Sequence, residues 1–317
     1  MGITNNIARI LYHARTKDGA SFENLITLGR QRNYLDGETL RDLALFSGRP
    51  DPDLSICGDA YAERFMRDWL GAQNVVALDN SAYEGATLIH DLNQPLPRQY
   101  EERFDAFLAC DLEHIFNLPQ AFLNVMKATK IGGRVFAGAP LNNMVGHGFY
   151  QLSPEIFFRV FAPRYGFEVE RALITQHRFA GPERNTVYPW YSVRDPDAVH
   201  RRVTLMNDFA SVLTVQARKI GKTPDGFDPY PQQSDYAEKW SAAAGEKRAA
   251  GGPPPGDRSW TRRGKTVVRA LLRLCPPSLE DALRGRYEKW RFHSLRNRTF
   301  YEPIELIPAA HRQRRKR

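Results

Sequence analysis

One stretch, Asn74–Phe161, limits what this chain can fold into. It holds three short apolar runs, each ending in polar residues: VVAL into Asp79, ATLI into His90-Asp91, and FDAFLAC into Asp111. A fourth run, RVFAGAP, follows an amphipathic segment and Gly132-Gly133. Strands buried on both faces of a parallel sheet read as continuous apolar runs. Ligands of open α/β sheets bind beyond the carboxyl ends of the strands. Acids at three successive strand ends therefore mark both a sheet and a pocket.

The flanking sequence extends this pattern. LITL before Gly29 reads as a first strand ending in a tight turn. Residues 36–48 and 58–70 carry helix-spaced apolar residues, and Gly71 is a C-terminal stop. Strands are expected at 75–78, 87–89, 104–110, 134–139, 167–174 and 211–219. A helix over 118–131, ended by Gly132, makes the 104–139 segment a right-handed βαβ unit. Ser153 and Pro154 open a further helix over 153–165, and 195–202 has helical character.

Composition sets the outer limits. The 317 residues are 42% hydrophobic, enough for a sizeable core. No run reaches the ~20 apolar residues that span a membrane. The first residues lack the apolar core of a signal peptide, which leads to the expectation of a soluble cytoplasmic protein. Cys57, Cys110 and Cys275 are widely spaced, which argues against a disulfide framework and a structural zinc site. Cys110 reads as an inert, buried strand residue.

The formal charge is +9, and Arg262–Arg317 alone holds 16 Lys/Arg against 5 Asp/Glu. The basic excess sits in the tail and the rest is near neutral. Four segments result: an N-terminal segment 1–21, a main domain 22–220, a Gly/Pro-rich linker 221–260, and a tail 261–317. The tail reads as two basic amphipathic helices separated by Pro276-Pro277, with RQRRKR at its end. Such a tail suits an anionic membrane surface or another polyanion, with peripheral attachment to a membrane. No nucleic-acid recognition module is visible.

Taken together, the strand pattern, the acids at strand ends two and three, the Gly-Gly before strand five and the final SVLTVQARK resemble class I S-adenosylmethionine-dependent methyltransferases. YEGATLIHDLNQPLP, LEHIFN and NNMVGHGFYQLSPEIFFRVF are similar to segments of a bacterial branch of that family. The resemblance covers residues 22–220. It implies a Rossmann-like, seven-stranded, mostly parallel sheet with helices on both faces and an antiparallel last strand.

The same resemblance implies a cofactor, S-adenosyl-L-methionine, and roles for residues. Gly29 stands at the family's glycine-rich turn, where the chain has LGRQRNY in place of GxGxG. Arg30 and Gln31 would hydrogen-bond the cofactor's carboxylate. Asp79, with Asn80 beside it, would accept hydrogen bonds from the ribose hydroxyls. Asp91 would face the adenine amino group and Leu92 its ring. Asp111 would reach the cofactor's methyl end. Glu113 and His114 form a general-base pair, since imidazole titrates near neutrality and a carboxylate can orient it. His147 belongs to the same catalytic group. Asn142, Asn143, Tyr150 and Gln151 would line the methyl-acceptor site. These residues demand no metal.

Each role has a structural competitor: a plain turn at Gly29, an Asx-turn at Asp91, a helix cap at Asp111, and aromatic plugging of the sheet end at Tyr150. A non-catalytic scaffold that works through its basic tail is the alternative function. A nicotinamide-dependent dehydrogenase requires GxGxxG after the first strand, and LGRQRN is not that.

Overall fold

The apolar runs pair side by side in a computed structural model of the chain, which describes residues 2–177, 187–243 and 277–308. β1 (Gly2–Thr4) and α1 (Asn5–Lys17) come first, then β2 (Asn24–Leu28), β3 (Arg32–Tyr34), α2 (Gly37–Ser47) and α3 (Glu63–Asp68). β4 (Asn74–Asp79), β5 (Leu88–Ile89), β6 (Phe104–Cys110), α4 (Leu118–Ala128) and β7 (Thr129–Asn142) form the central stretch. α5 (Pro154–Val160), β8 (Phe167–His177), β9 (Trp190–Val193), α6 (Pro196–Val199) and β10 (Ala210–Lys219) follow. The remaining elements are α7 (Ser234–Ala243), α8 (Pro277–Phe292) and β11 (Tyr301–Ile304).

The main sheet has the order β11-β9-β8-β10-β7-β6-β2-β4-β5. Parallel pairing joins β5, β4, β2, β6 and β7. β10 is antiparallel to both β7 and β8. This is a Rossmann-like α/β fold, with the reversed last long strand that the family resemblance implies. The expected seven strands become nine because β9 and β11 extend the edge beyond β8.

Side-chain alternation divides the core between the two sheet faces. Leu25, Ala106, Leu108 and Phe136 share a buried cluster with Ile10, Leu11, Leu40, Leu43, Phe65 and Trp69 of α1–α3 and the residue after α3. On alternate residues, Ile26, Phe107 and Val135 are equally buried. An aromatic cluster of Phe122 (α4), Phe157 (α5), Phe161 and Phe167 packs through edge and stacked contacts, with centroids 5.3–6.3 Å apart. Residues 1–21 read from the sequence as an N-terminal segment preceding the main domain. They instead carry β1 and α1, whose Ile3, Ile10, Leu11 and Ala14 belong to its core.

Polar residues lock this frame where strands and helices end. Arg9 of α1 and Asp42 of α2 form a fully buried ion pair, and Arg9 also donates to the Ile307 carbonyl at 3.0 Å. The Lys219 ammonium, 1% exposed, donates to the carbonyls of Met126 and Thr129 at 3.1 and 2.9 Å and meets Glu102 at 3.2 Å. At the end of α1, Asp18 accepts from Arg171 at 2.9 Å and from Gln216 at 3.1 Å. Arg134 donates to Glu170 at 2.8 Å and to the Asp18 carbonyl at 2.7 Å. Buried charges are tolerated when paired in this way.

The predicted helix ending at Gly132 is shorter than expected. Thr129 returns a hydrogen bond to the Val125 carbonyl and α4 stops at Ala128, so Gly132-Gly133 lie inside β7. A Cβ on Gly133 would sit 2.8 Å from the Asp105 carbonyl oxygen, so the Gly-Gly pair serves close strand approach and not a helix cap. The helix expected over 153–165 is likewise split into α5 and a single turn at Pro163–Tyr165.

Chain contacts define a second unit, Val193–Asp208 with Gln232–Glu302. Within it, Arg194 N–H donates to the Phe300 carbonyl at 3.0 Å and Tyr301 Oη to the Thr204 carbonyl at 3.0 Å. The expected linker 221–260 is ordered where the structure describes it. Thr223 and Phe227 are buried in the first unit, with Phe227 edge-on to Tyr165 at 5.0 Å, and Ser234–Ala243 is α7. A lone aromatic anchor in a Gly/Pro background leaves no periodic trace. Residues 244–260 and the first expected tail helix lie outside the described residues; the second expected helix is α8.

Burial works to raise the Asp18 pKa, but the hydrogen bonds from Arg171 and Gln216 outweigh it, and the carboxyl sits below its usual range. A depressed folded-state pKa gives stability that is present above the unfolded value, about 3.9, and is lost as pH falls through the folded value. The stability gap between wild type and Asp18→Asn should therefore be widest near neutrality and close below about pH 3.9. Urea unfolding at several pH values measures it, and a gap independent of pH would contradict the pairing.

Candidate functional site

β2 lies between β4 and β6, and the connections leave it in opposite directions, which opens a crevice at the strand ends. The Gly29 N–H donates to the Leu78 carbonyl at 2.7 Å and fixes the exit of β2 against β4. Gly29 has φ +66°, a left-handed conformation natural to glycine. A Cβ there would lie 3.9 Å from Asp79 Oδ2. Beyond it the chain enters β3 and pairs with β1 before α2 begins. The helix that usually follows such a turn directly is thus displaced by a short strand.

A cavity of about 490 Å³ fills the crevice. Its walls come from Gly29, Asp79, Asp91, Leu92, Asp111 and His114, with Arg30, Gln31, Asn80, Glu84, His90, Asn93 and Ile115 completing them. All eight residues assigned to cofactor binding from the sequence thus meet at one cavity. Gln31 is 4% exposed, and its amide donates to the Leu28 carbonyl at 2.7 Å, bracing the turn. The Arg30 guanidinium is engaged by Glu63 at 2.6 Å and stacks 3.8 Å over Tyr61. These two side chains are therefore occupied internally, unlike the free donors that the sequence suggested.

Asp79 Oδ1 accepts from the Asn80 N–H at 2.6 Å, and its other oxygen faces Gly29. Asp91 forms the Asx-turn foreseen as its competitor. Its Oδ1 accepts from Asn93 N–H at 2.9 Å and Asn93 Nδ2 at 2.7 Å, contacts that hold its pKa below the ordinary range. The carboxylate still lines the cavity. His90 N–H bonds the Asp79 carbonyl at 2.9 Å, so this histidine helps to shape the rim.

Asparagines that the sequence pattern did not single out hold that rim. Asn124 on α4, 1% exposed, accepts from Leu96 N–H at 2.9 Å and donates to the carbonyls of Leu92 and Gln94 at 3.0 and 2.8 Å. Asn93 accepts from Asn117 N–H at 2.8 Å and its carbonyl receives Asn117 Nδ2 at 3.1 Å. These bonds clasp HDLN to LEHIFN. A polar residue among the apolar face of α4 was the available signal.

At the end of β6, Asp111 takes φ +112°, strained for a residue with a side chain. Burial lifts its pKa to about 7, with the Asp79 and Glu84 carboxylates adding to the effect. Glu113 is fully buried and also lifted by burial to about 7, with Asp111 adding to it. His147 Nε2 and His114 Nε2 stand 3.5 and 3.8 Å from Glu113 Oε1, and the imidazole centroids are 5.3 Å apart. Burial lowers the His114 pKa, and the neighbouring His147 lowers it further. The three residues expected to be catalytic are thus in one cluster. Cys110 is buried at the end of β6, and burial pushes its thiol up to about 12.

The loop after β7 is held largely by its own side chains. Asn143 Nδ2 donates to the Phe209 carbonyl at 2.9 Å, and Tyr150 Oη to the Phe116 carbonyl at 2.8 Å. Gln151 Oε1 receives Met144 N–H at 3.4 Å, and Asn142 Oδ1 receives Asn143 N–H at 3.2 Å. Phe116 and Phe149 remain 71% and 66% exposed in edge contact at 5.7 Å, an apolar lip that the sequence reading did not single out.

No family model matches the chain, and no curated protein matches it. Among solved structures, a methyltransferase-titled protein from Bacillus halodurans is 12% identical over 66% of this chain and 99% of its own, with TM-score 0.38. The branched-chain polyamine synthase of Thermus thermophilus is 16% identical over 69% of this chain and 57% of its own, with TM-score 0.36. The 1,6-didemethyltoxoflavin-N1-methyltransferase of Burkholderia thailandensis is 13% identical over 68% and 78%, with TM-score 0.36. The fold assignment rests instead on the strand order and directions given above.

Replacing Asn124 by Ala leaves the Leu96 N–H and the Leu92 and Gln94 carbonyls short of their partner. The expected loss is about 2–3 kcal/mol in urea unfolding. A loss under about 0.5 kcal/mol would show that the clasp does not hold the rim.

Proposed function

We propose that the crevice binds S-adenosyl-L-methionine and that the protein transfers its methyl group to a nucleophilic acceptor. The observation that carries this reading is the convergence of Gly29, Asp79, Asp91, Leu92 and Asp111 on one cavity at the strand-order reversal. The residues fit the group: Gly29 leaves backbone open to a ligand, and Asp79 directs an oxygen toward that opening. Asp79 would accept from the ribose hydroxyls, Asp91 from the adenine amino group, and Leu92 would pack on the ring. The carboxylates of Asp79 and Asp91 give the cavity negative charge, which suits a cationic sulfonium ligand.

When bound, S-adenosylmethionine supplies an electrophilic methyl on a good leaving group. The protein's work is then alignment and proton removal. Glu113, His114 and His147 stand at the acceptor end, where the proton has to be removed. Asn142, Asn143, Tyr150 and Gln151 shape the loop beside them, and Phe116 and Phe149 offer an apolar surface for the acceptor. We place the enzyme in the cytoplasm, acting on a small-molecule or envelope-related acceptor.

One observation favours the scaffold alternative. In the second unit, a groove of about 910 Å³ is lined by Arg194, Arg201, Arg296, Arg298, Trp290 and Phe300, among others. Guanidinium groups beside the exposed Trp290 and Phe292 suit an anionic surface or polyanion. That groove is compatible with a peripheral site on the same enzyme.

Calorimetric titration with S-adenosylhomocysteine separates the readings. Wild type is expected to bind with micromolar affinity, and Asp79→Ala to weaken it by about 10-fold or more, through loss of charge-assisted hydrogen bonds worth ~1.5–3 kcal/mol. Folded wild type that binds no S-adenosylhomocysteine would leave the scaffold reading.

A further inference from the structure

Glu113 poses a problem that its own surroundings do not solve. The side chain is fully buried, and neither carboxylate oxygen has a hydrogen-bond partner in another of the described residues. An uncompensated buried carboxyl is costly. Two imidazole nitrogens nonetheless point at one of its oxygens, His147 Nε2 at 3.5 Å and His114 Nε2 at 3.8 Å. One ligand atom from each of the three lies within 4.8 Å of the others. Asp111 Oδ1 adds a second carboxylate 3.9 Å from His114 Nε2.

We propose that Glu113, His114 and His147 bind a divalent first-row transition ion at the acceptor end of the crevice. Two neutral imidazoles and one carboxylate form a ligand set used for zinc and non-haem iron, with positions left open for a substrate. Metal–ligand bonds of about 2.0–2.2 Å put ligand atoms of a tetrahedral site roughly 3.3–3.6 Å apart. The separations of 3.5 and 3.8 Å from Glu113 are close to that spacing, and the two imidazole ligand atoms, within 4.8 Å of each other, reach it by side-chain shifts. The imidazoles, 48% and 42% exposed, have room to make them, while the buried Glu113 is fixed.

The backbone reinforces the arrangement. Phe149 N–H donates to the Glu113 carbonyl at 2.8 Å. Gly148 packs so closely that a Cβ would lie 2.7 Å from Glu113 Cγ. The loop carrying His147 is thereby clamped onto the residue that His147 faces. An ion here would satisfy the orphaned carboxylate and present open positions to the acceptor. If the methyl-transfer reading holds, on which this last step rests, the acceptor is an oxygen ligand such as a hydroxyl, whose proton the ion would acidify.

The test uses metal-stripped full-length protein titrated with Co²⁺ alone and Zn²⁺ alone. Bound metal per chain and the visible ligand-field absorption of Co²⁺ are the readouts. One ion per chain is expected, with nitrogen/oxygen-type absorption and no thiolate charge-transfer band. Glu113→Gln and His147→Ala should each weaken binding on the order of 100-fold while melting cooperatively. Should either variant fail to fold, wild-type proton NMR decides: Co²⁺ must shift the imidazole signals of His114 and His147 and leave the other histidines unmoved. S-adenosylhomocysteine titration keeps the two proposals apart, because Asp79→Ala should lose the nucleoside and keep the ion, and Glu113→Gln the reverse. Absence of bound ion, equal binding by wild type and both variants, or shifts on other histidines overturns the proposal.

Discussion

The candidate site depends on β2 pairing in parallel with β4 on one edge and β6 on the other. That double pairing brings the ends of three strands together, so Gly29, Asp79 and Asp111 meet although they are 50 and 32 residues apart in sequence. The 2.7 Å bond from Gly29 N–H to the Leu78 carbonyl is the local expression of this constraint. Register matters as much as order, since a one-residue slip of a strand would turn its end residue to the other face. Leu25, Ile26 and Leu28 are buried, so the pairing is held from both sides of the sheet.

The polar interior divides into two classes. Arg9 with Asp42, Lys219 with three partners, and Asn124 with the 92–96 loop are paired and hold elements together. At the strand ends the accounting is different. Asp111 keeps a positive φ, and Glu113 keeps a buried carboxylate whose oxygens have no hydrogen-bond partner in another of the described residues. Strain and unmet polar groups in a folded chain concentrate where ligands bind. Their location beside the cavity is a physical reason to look for function there.

Much of this was legible in the sequence because buried parallel strands leave continuous apolar runs. VVAL, FDAFLAC and RVFAGAP became β4, β6 and the centre of β7, and Asp79 and Asp111 fell at their ends. Less legible were features that depend on distant contacts. β7 begins at Thr129 because Gly133 lets it approach Asp105, whereas locally the glycines read as a helix stop. The engagement of Arg30 by Glu63 and Tyr61 joins segments 31 to 33 residues apart with no periodic signal. His114 and His147 were each visible, but their meeting over Glu113 needs the β7 loop to fold back, which the contacts of Gly148 and Phe149 with Glu113 reveal.

The account's central claim is that the crevice at the ends of β2, β4 and β6 is the adenosyl site. Hydrogen–deuterium exchange with and without S-adenosylhomocysteine tests it most directly, because it reports where a ligand protects backbone. The account predicts slowed exchange in peptides covering 28–33, 79–94 and 110–117, with the 290–300 segment unchanged. Protection confined to 290–300, or none at a saturating ligand concentration, would contradict it.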